Sequence, residues 1–233
     1  MALLDDLKNK VSAYFIEKYE VEETTIVPGT DYSKLTFGNK GLVSEFAFLF
    51  VDIRKSSELH DTYGFTNAAK IYQSFHDICL RIIENNEGKV RAFDGDRIMG
   101  VFAGDQKRTN ATKAAMNIRW AISKILNPNL TTPLRIGCGI DVGKTLITKV
   151  GKGRDINNND LIWIGKACNY ASHLTQEASD SIIISPNVYD NMLDKTKFKD
   201  SINKTGNMWT LKKITLKSNK QIDVYESSYY WPL

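Results

Sequence analysis

Hydrophobic positions along the chain change period several times, and each change marks an element. Between residues 3 and 19, Leu4, Leu7, Val11, Tyr14 and Phe15 recur at helical spacing and predict an amphipathic helix ahead of the main body. Pro28, Gly29, Asp31, Gly38, Asn39 and Gly41 then mark a loop-rich linker. Residues 45–53, EFAFLFVDI, form a short apolar run with aromatic and β-branched members, the pattern of a buried strand. A long helix follows, with Ala68, Ile71, Tyr72, Phe75, Ile78, Cys79 and Ile82 at three- and four-residue steps. Asn85, Asn86 and Gly88 are its stop signal.

In VRAFDGDRIMGVF, two strand-like segments flank Asp94-Gly95, a strong hairpin signal. A second helix is predicted over about 107–126, with Ala111, Ala114, Ala115, Ile118, Ala121, Ile122 and Ile125 on one face and Pro128 at its end. LRIGCGIDV and KTLITKV read as two strands around Gly143. LIWI (161–164) reads as another, followed by a helix over 167–178. SIIIS (181–185) is a buried strand, Ser185-Pro186 starts a short helix, and two last strands lie near 207–214 and 221–227. The order β-α-β-β-α-β predicts an α+β fold with a ferredoxin-like core. It is an antiparallel sheet with helices on one face, extended by C-terminal strands and an N-terminal helix. The expected division is 1–42, N-terminal helix and linker, and 43–233, main domain. The helix is expected to close the core as an ordinary extension. Packing across a dimer or receiving a signal are the alternatives.

A length of 233 residues suits one large domain, or one ordinary domain with an extension. The longest wholly apolar run, Phe46 to Val51, is far short of the ~20 residues a membrane span needs. MALLDDLKNK carries acids where a signal peptide is basic, so a cytoplasmic protein without a membrane partner is expected. The net charge of +4 is too mild to argue for nucleic acid, though compatible with a small anionic substrate. Cys79, Cys138 and Cys168 are widely spaced and fit no metal pattern, so they read as free thiols in a reducing compartment. His60, His76 and His173 make no zinc-binding pair.

Two aspartates stand in unusual places. Asp52 ends the apolar run, and Asp96 follows the hairpin turn. In a β-α-β-β order the first strand and the hairpin share one sheet, so the two carboxylates can converge. Converging carboxylates repel and call for a cation, and oxygen-only ligands suit Mg²⁺ or Mn²⁺. The plainer reading makes Asp52 a helix cap and Asp96 a turn residue. In DIRKSS, helix amides near Ser56 and Ser57 can cradle phosphate, with Arg54 and Lys55 adding positive charge. A capping pair with solvated bases reads equally well.

FLFVDIRKSS, VRAFDGDRIMGVF, RIGCGIDVGKTL and IGKACNYASHL occur in the order seen in class III nucleotidyl cyclases, and the chain resembles that family over about residues 45–227. The resemblance implies a homodimer with two composite active sites at its interface. It implies two divalent metal ions (Mn²⁺ or Mg²⁺) held by Asp52, the Ile53 carbonyl and Asp96. The substrate would be a nucleoside triphosphate, cyclised to a 3′,5′-cyclic monophosphate with loss of pyrophosphate. Asn169, from the other copy, would orient the ribose. Lys212, or Lys213 if the match slips by one, would bind the triphosphate.

The chain departs from the family in three ways. The transition-state arginine position holds His173, which can donate a hydrogen bond and carries charge only when protonated. The two positions that read a purine hold Ala92 and Ile162, and neither side chain can hydrogen-bond a base. Arg97 follows the second metal aspartate and can reach a base carbonyl or a phosphate. Phe50, two residues before Asp52, can narrow the pocket toward a smaller base, or simply pack in the core.

These departures resemble the stand-alone bacterial pyrimidine cyclases of Pycsar anti-phage systems. That likeness implies UTP, ahead of CTP, as substrate, and a cyclic nucleotide that activates a separate effector protein. The competing readings are a purine (ATP or GTP) cyclase with other base contacts, and a cyclase-like binding or regulatory domain without catalysis.

Overall fold

The computed structural model describes residues 2–151, 158–216 and 219–233. α1 (Ala2–Ile16) leads to β1 (Glu20–Glu23) and β2 (Lys40–Ile53). Next come α2 (Leu59–Asn85), β3 (Lys89–Asp94), β4 (Arg97–Phe102) and α3 (Lys107–Ala121). β5 (Ile136–Gly151), β6 (Asn159–Ile164), α4 (Lys166–Glu177), β7 (Ile182–Ile184) and α5 (Pro186–Asn191) follow. β8 (Phe198–Asp200), β9 (Thr205–Asn207), β10 (Thr210–Thr215) and β11 (Gln221–Ser227) complete the order.

The main sheet runs β10-β11-β7-β5-β2-β4-β3, with β1 beside β2 and β6 beside β5. Within it, β2-α2-β3-β4-α3-β5 is the expected βαββαβ core, and its four strands pair antiparallel. β7 joins β5 in parallel, and β11 and β10 add antiparallel strands beyond it. β8 and β9 form a separate small hairpin that the sequence pattern did not announce.

β2 explains why the apolar run is unbroken: both of its faces are covered. Ala47, Leu49, Val51 and Ile53 pack under α2 and α3, while Phe46 and Phe48 pack under α4. The two core helices, α2 and α3, share one face as expected, and α4, beyond the core order, covers the other. Phe46 and Phe48 both meet Trp163 edge-on, at ring distances of 5.6 and 5.7 Å. Burial of each such ring contributes on the order of 2 kcal/mol.

α4 lies close to the sheet because β5 offers it glycines. A Cβ on Gly139 would run into the Ala171 carbonyl and the Thr175 amide. One on Gly137 would stand 2.6 Å from the Ala178 carbonyl oxygen. Gly143, expected to separate two strands, instead lies inside the single strand β5, where Ala167 crosses it.

Local geometry corrects four other expectations. The hairpin turn is Gly95-Asp96, one residue later than expected, since Asp94 pairs directly with Arg97. Gly95 has φ 59°, which the first central position of this tight hairpin requires. α3 ends at Ala121 and widens into a π turn over Ile122–Leu126, which leaves Ile125 exposed. After Asp52 the chain does not enter an α-helix at once. Lys55 takes φ 58° and a 3-10 turn, Ser56–Glu58, precedes α2. The linker carries β1, parallel to the start of β2, and a buried Leu35.

α1 does not close the core. None of its residues is buried, and Leu4, Leu7, Val11 and Tyr14 are all more than half exposed. Its C-terminal end is held by Asn39, whose amide donates to the Tyr14 and Glu17 carbonyls at 2.9 and 2.8 Å. Among the described residues, no helix is long and apolar enough to cross a membrane. The three cysteines are free, and burial pushes the Cys138 thiol up to about 12 and that of Cys168 to about 11.

Candidate active site

The C-terminal end of β2 and the β3–β4 turn build one corner. Asp52 is buried, at 8% exposure, and pairs directly with Arg97 of β4 and Gly137 of β5. Strand alternation puts Asp52 on the α4 face, in line with Phe46, Phe48 and Phe50. The turn folds back over the strand end, where the Ile53 amide donates to the Asp96 carbonyl at 3.1 Å. Asp52, Ile53 and Asp96 are thus brought together by one short stretch of sheet.

Two guanidinium groups share the Asp52 carboxylate. Arg54 contacts Oδ2, and Arg97 Nε lies 3.6 Å from Oδ1. Both also reach α4. Arg97 Nη1 donates to Ser172 Oγ at 3.1 Å, and Arg54 Nη1 donates to the Gln176 carbonyl at 3.2 Å. Burial pushes the Asp52 carboxyl above the usual range. Arg54 and Arg97 oppose the rise, the Asp96 charge adds to it, and the balance stays upward. The Nε–H of Arg54 is buried with no hydrogen-bond partner among the described residues, and that of Arg97 has only its long contact to Asp52. The corner therefore holds repelling carboxylates together with a buried donor that lacks an acceptor, a setting that suits a divalent cation and a phosphate oxygen.

Beside the corner lies an apolar floor. Phe50 and Ala92 are half-buried, both pair with Met99, and all three pack in the cluster under α4. Thr175 Oγ1 donates to the Phe50 carbonyl at 3.3 Å. On the other side of Arg54 a cleft of about 430 Å³ opens, lined by Lys55, Tyr63, Arg135 and Ser179 among others. Ser56 and Ser57 begin the 3-10 turn at its edge, where the first amides of a helical turn have no intrahelical acceptor.

None of the remaining residues singled out in the sequence hydrogen-bonds to this corner among the described residues. Asn169 and His173 occupy one outward stripe of α4, four residues apart. Asn169 is exposed and His173 half-buried, and neither has a hydrogen-bond partner among the described residues. Ile162 is 46% exposed and pairs with Thr148, whereas Asp52 pairs with Gly137. Those β5 positions are roughly 36 Å apart at the rise of an extended strand. Lys212 lies on β10, with β11, β7 and β5 between it and β2, and its ammonium meets Glu226 at 2.7 Å. It shares the α4 face with its partner Val224, while Lys213 pairs with Asp223 on the other face. One chain therefore carries the acidic corner and, on the side of α4 turned away from the sheet, the stripe of Asn169 and His173, next to the Ser172 and Gln176 that reach Arg97 and Arg54.

Sequence reasoning missed the two links to α4, at Ser172 and Gln176, and a pair of α2 side chains, Tyr72 and His76, that hold the loops of the corner. Tyr72 was visible only as one more core position of a helix. His76 showed no metal or catalytic spacing. Among the described residues there is no group of three or more His, Cys, Asp or Glu side chains that could hold a metal.

Comparison with known proteins adds a relationship along the whole chain. It is 34% identical over 215 residues to a uridylate cyclase of Burkholderia cepacia, covering 90% of this chain and 91% of that one. It is 33% identical to a uridylate cyclase of Xanthomonas perforans, covering 99% of each chain. Among solved structures, the adenylyl cyclase CyaB from P. aeruginosa superposes with a TM-score of 0.66 at 20% identity, covering 80% of this chain and 95% of that one. That likeness concerns the fold. No protein-family model matches the chain.

Proposed function

The chain belongs to the uridylate cyclase family and is a nucleotidyl cyclase, and from that premise we propose that it converts UTP, ahead of CTP, to the 3′,5′-cyclic monophosphate and pyrophosphate. The observation that carries the base assignment is the floor beside Asp52. It is built from Phe50, Ala92 and Met99 and offers no side-chain hydrogen bond to a purine. We assign residues 43–233 as the catalytic domain and 1–42 as the N-terminal helix and linker, with the protein acting in the cytoplasm. Its product would be a second messenger in anti-phage defence that activates a separate effector protein.

Asp52, Asp96 and the Ile53 carbonyl are the residues that would hold two divalent cations, Mn²⁺ or Mg²⁺. Carboxylate and carbonyl oxygens are the hard donors these ions take, and two carboxylates leave places for phosphate oxygens and water. When bound, the ions supply Lewis acidity that lowers the pKa of the ribose 3′-hydroxyl and neutralises the triphosphate. The 3′-oxygen bonds to the α-phosphorus, the bond from phosphorus to the bridging oxygen breaks, pyrophosphate leaves, and the hydroxyl proton passes to water.

The side chains contribute position and charge. Arg54 and Arg97 hold Asp52 in place, and Arg54 offers its unpartnered Nε–H to phosphate. The Ser56 and Ser57 amides face the same anion. Asn169 of a second copy orients the ribose and its His173 meets the charge that develops on phosphate. That both lie on the outward stripe of α4, without a hydrogen-bond partner among the described residues, supports a homodimer with composite sites. Lys212, sharing the α4 face, serves the triphosphate, and Ile162, remote from the corner of its own chain, borders the base only in the site it shares with a second copy.

The deciding experiment incubates purified protein with Mn²⁺ and each of the four nucleoside triphosphates, identifies products by mass spectrometry, and includes Asp52→Ala as control. Cyclic UMP that disappears in the variant is the expected result. A purine cyclic nucleotide would overturn the assignment from Phe50 and Ala92. No product from any of the four, in a folded preparation, would favour a binding domain in which the arginines permanently occupy Asp52.

A further inference from the structure

The Gly95-Asp96 turn is gripped at both of its carbonyls. The Asp96 carbonyl accepts from the Ile53 amide at 3.1 Å, on the β2 side. The Gly95 carbonyl lies 2.8 Å from His76 Nε2, on the α2 side. A carbonyl only accepts, so His76 donates. With both oxygens fixed, the peptide planes on either side of the Asp96 α-carbon cannot pivot, and the direction of its Cα–Cβ bond is set.

The imidazole is itself held. It packs edge-on to Phe75 and Phe93, at ring distances of 5.1 and 5.2 Å, and its Nδ1 is buried without a partner among the described residues. One helical turn earlier on α2, the Tyr72 hydroxyl donates to the Ser56 carbonyl at 3.3 Å. Adjacent positions on one stripe of α2 therefore tie down both loops that border Asp52. The Tyr72 hydroxyl is held above its ordinary pKa by burial first and then by the Asp96 charge, so the two groups lie within each other's field.

We infer that His76 is a positioning residue for Asp96: its hydrogen bond to the Gly95 carbonyl aims the Asp96 carboxylate at the divalent cation, and Tyr72 does the equivalent for the Ser56 loop. The inference rests on the reading of Asp52 and Asp96 as metal ligands and deepens it. A hairpin tip held only by its glycine would let the carboxylate swing. Groups that orient a ligand in this way typically govern affinity by about 10–100-fold.

The test is Mn²⁺ binding by the full-length protein in the presence of 3′-deoxy-UTP, which lacks the attacking hydroxyl, with unbound Mn²⁺ counted by electron paramagnetic resonance. His76→Leu keeps the packing against Phe75 and Phe93 and removes the donor. It is expected to raise the Mn²⁺ dissociation constant about tenfold. His76→Gln places an amide nitrogen near the position of Nε2 and is expected to restore binding to within about threefold of the natural protein. Equal affinity for His76→Leu and the natural protein would overturn the inference, as would a His76→Gln protein as weak as His76→Leu. Asp96→Ala separates the two levels. If it binds Mn²⁺ as the natural protein does, the metal corner itself is misassigned. If it alone weakens binding, the corner stands and His76 is only a packing residue.

Discussion

Arg97 and Asp52 face each other directly across β4 and β2, with Nε 3.6 Å from Oδ1, and Arg54 contacts the other carboxylate oxygen. Even so, burial leaves the Asp52 carboxyl above its usual range. The charged form is therefore held in the fold at a cost, and for a buried carboxylate beside a second one that cost suits a site kept for a cation. Asp52→Asn keeps the shape and removes the charge. We expect it to lower cyclase activity by about a hundredfold or more, the loss typical when one preorganised electrostatic group is removed. Its melting temperature should equal or slightly exceed that of the natural protein. A clear fall in melting temperature, read by calorimetry, would show that Asp52 serves the fold.

The same shift sets a pH dependence. Asp52 must be ionised to hold a cation, and its folded pKa is raised. Activity and Mn²⁺ affinity should therefore fall as pH drops through a value above the ordinary carboxylate range. The stability effect runs the opposite way. A raised folded pKa favours the protonated fold, so the contribution from Asp52 is fully present below its ordinary pKa and is lost as pH rises through the raised one. Arg97→Gln removes an opposing charge and should move the acid limb of the pH–activity profile further up. A limb that stays in place in this variant would mean that Asp52 does not control it.

Much of this was legible in the chain. The switch from period two to period three and four announced β2, α2 and the hairpin, because strongly patterned segments are decided locally. Asp52 and Asp96 were legible because they interrupt such patterns at strand ends. Other features depend on partners distant in sequence. β5 reads as two strands because Gly143 looks like a break, and only the crossing of α4 explains it. α1 carries the pattern of a core helix, yet none of its residues is buried. His76 has no signature at all, since its role comes from a carbonyl nineteen positions away.

The outward placement of Asn169 and His173 predicts complementation between inactive copies. Asp52→Ala lacks one carboxylate of the acidic corner and Asn169→Ala lacks the ribose contact proposed for that side chain. Mixed and allowed to exchange subunits, half of the dimers carry one copy of each and retain one intact composite site. Activity should therefore recover to about one quarter of the natural level. Measured rates of cyclic nucleotide formation that stay at the sum of the two variants would show that each chain works alone.

The glycines of β5 predict a graded response to one added methyl group. At Gly139 the new Cβ would meet the Ala171 carbonyl and Thr175 amide, which are backbone of α4 and cannot step aside without moving the helix. At Gly143 the nearest atom is the Cβ of Ala167 at 3.2 Å, a gap that a shift of a few tenths of an ångström relieves. Gly143→Ala should thus cost under about 1.5 kcal/mol, whereas Gly139→Ala should cost about 3 kcal/mol or more and displace Asn169 and His173 with the helix. For a chain of this length those values correspond to melting-point losses of a few degrees and of roughly ten. Urea unfolding of the two variants separates them. Similar stability for both would mean that α4 is not held against β5 as closely as its contacts indicate, and the rigid platform that carries Asn169 and His173 would be lost with it.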